Sequence, residues 1–269
     1  MTTIATPPAQ ADRRPARAVP RPIPFTRLMA VELRKCFDTR AGFWLMASIG
    51  IVALLATVAV LLWAPDSEQT YSTFATTLGF PMTIILPMVA VLSVTSEWTQ
   101  RSGLTTFTLV PRRGRVIGAK AAVAVGIAIV SMLLAALIGV GGTIIGSAIL
   151  GIDPSWDIGV VDLTNIVIGQ VLGMLVGFML GVVIRAAAPA IVAYFVYAFV
   201  LPTLTELLAS TQDWFDEVRP WVDFNYAQSA LFNGSLSATE WSHLAVTGAV
   251  WLAAPLALGL WSLMRSEVK

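Results

Sequence analysis

Six apolar stretches dominate this 269-residue sequence, and each is long enough to cross a lipid bilayer as a helix. A crossing takes about 20 apolar residues in a helix, because the bilayer core offers no water to bond exposed backbone groups. Hydrophobic residues make up 57% of the chain and charged residues only 12%, too few polar groups to cover a water-soluble domain of this size. We therefore predict an all-α integral membrane protein with six transmembrane helices, near residues 43–64, 74–96, 121–150, 163–184, 187–208 and 243–264.

The basic residues fall almost entirely on one side of these predicted spans. Six crossings put both termini on the same side, and with the N-terminus inside, 16 of the 17 Lys and Arg residues are inside as well. Only Arg219 falls outside. An excess of Lys and Arg in cytoplasmic loops sets the orientation of membrane proteins. We predict cytoplasmic termini and, because arginine outnumbers lysine 14 to 3, a multi-pass protein of a bacterial plasma (inner) membrane.

Two segments precede the first span. Residues 1–22 combine four arginines with five prolines, a composition typical of a disordered basic tail. Residues 23–40 place apolar side chains at helical spacing and basic ones on the other side, which predicts an amphipathic elbow helix in the membrane interface. This helix is either a simple juxtamembrane anchor or part of a surface that docks a partner.

Residues 97–120 form a polar island between the second and third spans, reading EWTQRSGLTTFTLVPRRGRVIGAK. The charges of the island exclude burial in lipid, yet its centre is apolar and aromatic. A loop that only connects two spans does not need an apolar centre, whereas a loop that docks on a soluble partner does. The pattern therefore predicts a docking element.

The helix sequence VELRKCFDTRAGFWL, the six spans and the polar island together resemble the membrane subunit, or permease, of a type-2 ABC exporter. In that family the loop after the second span carries a coupling helix, which fits a groove on a separate nucleotide-binding subunit. The resemblance implies two membrane subunits, as a homodimer or a heterodimer, and two partner ATPases that hold ATP and Mg²⁺. It assigns ATPase coupling to Glu97, Arg101, Phe107, Leu109, Pro111, Arg112, Arg113 and Lys120.

The residues themselves offer no site for catalysis. The sequence contains no G-x-x-x-x-G-K-[ST] phosphate loop, and no polar segment is long enough to fold an ATPase domain. One histidine, His243, and one cysteine, Cys36, with scattered acids supply no metal-ligand cluster. We predict that this chain is not an enzyme, that it holds no metal or cofactor, and that nucleic acid is not among its partners.

Glycine recurs at every fourth position of the predicted fourth span. This spacing places four glycines on one stripe, so that another helix can approach backbone to backbone. The stripe serves either static packing within the subunit or a surface that slides during transport. Its residues are Gly169, Gly173, Gly177 and Gly181.

Ionisable residues are scarce inside the predicted spans, which disfavours a carrier driven by protons or sodium. Under the exporter interpretation, spans two and five line a path between two membrane subunits. A weakly polar, aromatic lining suits amphiphilic drugs, peptides or lipids. Glu206 follows Pro202, so it lies either at a helix break beside this path or in the interface facing water. The candidate lining residues are Thr76, Thr77, Met82, Thr83, Tyr194, Tyr197 and Glu206.

The predicted external segment, residues 209–242, alternates aromatic and acidic side chains. Trp and Tyr prefer the membrane interface, so the segment is either a re-entrant hairpin or an ordinary surface loop. Two further functions stay open for the whole chain. One is a membrane anchor or accessory subunit that recruits a soluble partner, and the other is a secondary transporter.

Overall fold

The computed structural model describes residues 23–99 and 113–265, which are almost entirely helical and contain no strand. Six helical stretches are long and apolar enough to cross a membrane, which confirms the predicted all-helical class and the number of spans. The helices are α1 Phe25–Asp38, α2 Arg40–Trp63, α3 Tyr71–Thr99, α4 Arg113–Leu150, α5 Val160–Ile184, α6 Ala187–Phe195, α7 Leu201–Thr211, α8 Asp213–Val222, α9 Phe224–Ser229, α10 Ala238–Gly248 and α11 Ala254–Arg265. Spans one to four are α2 to α5, span five joins α6 to α7, and span six joins α10 to α11.

Helices α3 and α5 run parallel at the centre of the bundle. Gln170 of α5 bonds the Gly79 carbonyl at one level, and Gly181 meets Val94 further along. Helices α2 and α4 pack around α3, while α6 and α11 pack against α5. The end of the bundle where α3 stops and α4 begins is called the island end below, and the opposite one the hairpin end. Arg185 and Ser262, which bond each other, also lie at the island end.

The polar island is shorter than the sequence predicts. Glu97 belongs to the last turns of α3, and the stretch from Arg113 to Lys120 is the start of α4. The charges at these positions suggested a loop, but both helices continue because ion pairs neutralise Glu97 and Lys120.

Helix α3 continues through Pro81 and Pro87. A proline inside a helix has no N–H to donate, so Pro87 leaves the carbonyl of Thr83 without its usual partner. The hydroxyl of Tyr194 donates to this carbonyl at 2.5 Å. A span-five side chain thereby replaces the backbone bond that the proline removes from span two.

Spans five and six both widen into a π turn near their middle, at Val196–Val200 and Ala249–Ala253. Each turn ends two residues before a proline, Pro202 or Pro255. The proline ring clashes with the carbonyl four residues earlier in a regular helix, and a wider turn relieves that clash. The two prolines therefore explain the position of both irregularities.

The segment between spans five and six folds back along the bundle as a helical hairpin, formed by α8, α9 and the turn Ala230–Phe232. Trp251, near the middle of span six, donates through Nε1 to the Val222 carbonyl at 2.7 Å. On the returning side, Gln228 donates to the Gly169 carbonyl at 2.8 Å. The segment therefore packs against spans four and six, and its re-entrant position in the membrane stays a prediction.

The glycine stripe of α5 contacts two different elements. A Cβ added at Gly169 would meet the Phe232 ring of the hairpin at 2.6 Å, and one at Gly177 would meet the Pro87 carbonyl oxygen of α3 at 2.6 Å. Gly181 lies against Val94, whereas Gly173 has only ordinary contact with Gln228. The stripe thus provides close contacts to α3 and to the hairpin.

We expect Gly177→Ala to lower stability by about 1–3 kcal/mol, because the added methyl group meets backbone atoms of Pro87 that cannot rotate away. Gly173→Ala is the matched control and should change stability by less than about 0.5 kcal/mol. Thermal unfolding of both variants in detergent micelles measures the difference. Equal losses in the two variants would show that close approach at Gly177 does not determine the packing.

Candidate functional site

Four charged side chains from three helices meet at the island end, and we call them the anchor cluster. They are Glu32 and Lys35 of α1, Glu97 of α3 and Lys120 of α4. Lys120 Nζ lies 2.5 Å from Glu32 Oε2 and 3.1 Å from Glu97 Oε1. Lys35 Nζ lies 2.8 Å from Glu32 Oε1 and 2.9 Å from Glu97 Oε1. Each charge therefore has at least two partners of opposite sign.

Three of the four side chains of the anchor cluster lie almost out of contact with solvent. The side chain of Lys120 is 2% exposed and that of Glu97 is 3% exposed, whereas Lys35 is 41% exposed. Burial of an unpaired charge costs several kcal/mol, so such groups persist only with partners. Here two ammonium groups face two carboxylates, and Lys120 also donates to the Ser93 carbonyl at 3.0 Å. The cluster fixes α1 against both ends of the polar island.

Helix α1 meets the bundle through one narrow face. Its buried residues are Leu28 and Glu32, one helical turn apart, while Leu33 and Phe37 stay exposed. Residues four apart lie on the same face of a helix, so packing of Leu28 brings Glu32 to α4. The exposed apolar face is compatible with an interfacial helix, which stays a prediction.

Two side chains of α1, Lys35 in the anchor cluster and Cys36 next to it in the chain, have shifted pKa values. Burial lowers the pKa of Lys35, but hydrogen bonds to Glu32 and Glu97 outweigh this effect, so the pKa lies above its ordinary value of 10.5. The stabilisation by Lys35 is therefore complete below that value and lost only as the pH rises through the folded pKa. Burial also raises the pKa of the Cys36 thiol above 9.0.

The structure brings together two of the residues predicted to couple to an ATPase, Glu97 and Lys120. Arg113 begins α4. Its side chain lies outside the described residues, as do Arg101, Phe107, Leu109, Pro111 and Arg112. Sequence reasoning missed Glu32 and Lys35, because their partners are far away in the chain. The spacing of Glu32 and Lys35 on α1, three residues apart, was the one local signal.

The predicted path residues have different surroundings. Thr83, Tyr194 and Tyr197 lie where span two meets span five, and the Tyr197 hydroxyl also donates to Gln228 Oε1 at 3.3 Å. Met82 is fully buried in the core, Thr77 is half-buried, and Thr76 is exposed. Their role in a path stays a prediction.

Glu206, the remaining path candidate, belongs to a second charged cluster at the hairpin end. Arg219 of α8 is only 7% exposed, and its Nη1 lies 2.7 Å from Glu206 Oε2. The guanidinium also lies 4.3 Å from the ring centre of Tyr226 and 3.5 Å from Asp223 Oδ2. This ion pair joins α7, which has no buried residue, to the hairpin.

Comparison with known proteins gives no family for this chain. No family model matches it, and no curated protein matches its sequence. Within residues 23–99 and 113–265, no three His, Cys, Asp or Glu side chains come together as a metal site. The anchor cluster and the helices that meet there are therefore the features that bear on function.

We expect Lys120→Met to destabilise the protein by about 3–5 kcal/mol, because the buried carboxylates of Glu32 and Glu97 would both lose an ion-pair partner at contact distance. Lys35→Met is the matched control and should cost less than about 1 kcal/mol, since Lys35 is partly exposed and Lys120 still pairs both carboxylates. Thermal unfolding in detergent measures both. Equal and small losses would show that the buried pairs do not hold α1.

The native thiol of Cys36 gives a second readout of the same variants. Loss of the Lys120 charge alone would slow alkylation, because that charge lowers the pKa of Cys36. Release of α1 from the bundle would instead expose the thiol and speed the reaction. We expect faster maleimide labelling in Lys120→Met than in the unchanged protein at the same pH.

Proposed function

We propose that this chain is the membrane subunit of an ATP-driven ABC exporter, and that a separate nucleotide-binding subunit hydrolyses the ATP. The observation that carries the proposal is the anchor cluster. A loop that merely connects two spans gains nothing from four charges that hold its two ends, and burial of those charges is costly. A docking loop that must transmit a displacement into the membrane requires such a rigid base.

The contacts of α3 suggest how a displacement at the island reaches the rest of the bundle. Helix α3 begins at the hairpin end, passes through the core and finishes at the anchor cluster. Gly177 of α5 touches the backbone of Pro87, so α3 and α5 move together. Tyr194 ties span five to the same helix through the Thr83 carbonyl. A push on the island therefore acts on spans two, four and five as one unit.

The hairpin end supplies the elements of an outer gate under this proposal. The π turn Val196–Val200 and Pro202 interrupt span five, so α7 can change direction there with few core contacts to break. The pair Glu206–Arg219 holds α7 to the hairpin. Closing of the outer mouth by the hairpin, and opening by movement of α7, follow from this arrangement. The substrate would be an amphiphile, passing between two copies of this chain or a copy and a related subunit.

The distribution of acids favours ATP over a coupling ion as the energy source. In the described spans the carboxylates Glu97, Asp162 and Glu240 lie in the last or first turns, and Glu206 lies in the outer half of span five. Carriers coupled to protons or sodium place such groups near the middle of the membrane. A membrane anchor that only recruits a soluble protein is the second candidate, because the anchor cluster would serve docking equally well.

The double variant Phe107→Ala, Leu109→Ala tests the docking step. Truncation of an apolar anchor at a protein contact costs about 2 kcal/mol or more, so each change should weaken ATPase binding by about 30-fold. The matched control is Thr105→Ala, Thr108→Ala in the same loop, which should bind nearly as well as the unchanged chain. Measurement is by affinity of the purified subunit for its cognate ATPase, together with ATP-driven transport in vesicles.

If the Phe107, Leu109 double variant binds the ATPase and transports substrate as well as the unchanged chain does, the island is only a connecting loop. Unchanged binding with lost transport would contradict the docking role of these two residues. Binding without any substrate movement in the unchanged chain would favour the anchor function instead.

A further inference from the structure

A groove lies between α5 and α11 at the island end. Its volume is about 410 Å³. Four of its lining residues are apolar or glycine: Val183, Pro255, Leu258 and Gly259. The other two, Arg185 and Ser262, are polar and bond each other. The groove thus combines an apolar wall with one cationic end.

Arg185 occupies a strained backbone position. It ends α5 with φ of 59°, and among the described residues it is the one residue other than glycine with a positive φ. A side chain in this left-handed region costs about 1–3 kcal/mol, and such strain is found where the surroundings hold a functional group in place. Two hydrogen bonds hold it here: Nη2 donates to Ser262 Oγ at 2.9 Å, and Nε to the Val182 carbonyl at 3.4 Å.

The polar end of this groove carries the positive charge of Arg185. Among the described residues, no carboxylate lies within ion-pair distance of Arg185 or of Arg265, which follows Ser262 by one helical turn. The Arg265 guanidinium lies over the Trp261 ring, 4.2 Å from its centre. One guanidinium group, that of Arg185, therefore stands at one end of an apolar groove between two spans.

We propose that this groove binds an acidic phospholipid, with its phosphate on Arg185 and an acyl chain along Val183, Pro255 and Leu258. A guanidinium matches the geometry of phosphate oxygens and binds them more strongly than a neutral donor does. Basic pockets between membrane helices are typical sites for acidic lipid head groups. Free phosphate would gain nothing from the apolar wall, so the lipid is the occupant that uses both parts of the groove. This inference is independent of the exporter function.

The lipid would also have a structural consequence. It would contact α5 and the turn to α6 on one side and α11 on the other. Bound lipid therefore strengthens the contact of span six with span four, where Gly259 already lies close to Val182 and Val183. The protein should accordingly be more stable in detergent with phosphatidylglycerol than with phosphatidylcholine.

Native mass spectrometry of the full chain in detergent tests the site, with dioleoyl phosphatidylglycerol and dioleoyl phosphatidylcholine as probes. We expect one retained phosphatidylglycerol and about tenfold weaker retention of phosphatidylcholine. Arg185→Gln should weaken phosphatidylglycerol binding about tenfold, since a hydrogen bond to a charged group is lost. Leu258→Trp, which fills the groove outside the strained turn, should weaken it similarly. The matched control is Arg115→Gln, a half-buried arginine at the same end that donates to the Ile23 carbonyl.

Three results would overturn the proposal. Equal loss in Arg115→Gln would mean that diffuse surface charge binds the lipid. Equal retention of both lipids would mean that the groove does not select an acidic lipid. Displacement of the lipid by inorganic phosphate at the same concentration would mean a phosphate site. Thermal unfolding of each variant without lipid identifies any that fails to fold, and Leu258→Trp still decides the question if Arg185→Gln does.

Discussion

The buried ion pairs between α1, α3 and α4 are the interaction on which the rest of this structure depends. A lysine as buried as Lys120 requires negative partners at contact distance, because water does not reach it. Its partners Glu32 and Glu97 come from two other helices, so the pairing of Lys120 fixes α1, α3 and α4 relative to one another. Helix α1 could lie against the bundle in many orientations, and these pairs select one. They also hold the end of α3 and the start of α4, the two helices that residues 100–112 connect in the sequence.

Beyond the anchor cluster, close contacts hold the membrane-spanning helices against one another. The glycines of α5 bring its backbone against α3 at Pro87 and against the hairpin at Phe232. In spans five and six, by contrast, a proline follows a π turn, and this turn interrupts the regular α-helix near the middle of each span. The bundle therefore has a tightly packed centre of spans two and four. Spans five and six lie outside this centre, and each is interrupted by a π turn. The proposed exporter function would use both properties.

Much of the fold could be predicted from the sequence, because the length and composition of an apolar run depend on the bilayer alone. The number of spans, the close packing of the α5 glycines and the passage of α3 through its prolines follow from local rules. Helix boundaries were less predictable. Span six begins at Ala238, earlier than expected, because Ser237 and Glu240 form a capping box at its start. Span three extends back to Arg113 because Lys120 is paired rather than solvated.

The candidate site was only half predictable. Glu97 and Lys120 could be recognised as the ends of the polar island, but Glu32 and Lys35 are identified only by their partners in space. The hydrogen bond from Tyr194 to the Thr83 carbonyl was equally hard to predict. A proline in a helix indicates that a carbonyl lacks its usual partner, but not which side chain will bond that carbonyl. Interactions between residues far apart in the chain leave little trace in a single sequence.

Site-specific photo-crosslinking from position 107 in intact cells is the most direct measurement of the central claim. A photoreactive residue at Phe107, the predicted apolar centre of the island, reports what lies against it when the protein works in its own membrane. The account predicts an adduct with a polypeptide that carries a G-x-x-x-x-G-K-[ST] phosphate loop, and loss of that adduct in Lys120→Met. Adducts with lipid or with this chain alone, in cells where transport is active, would contradict it.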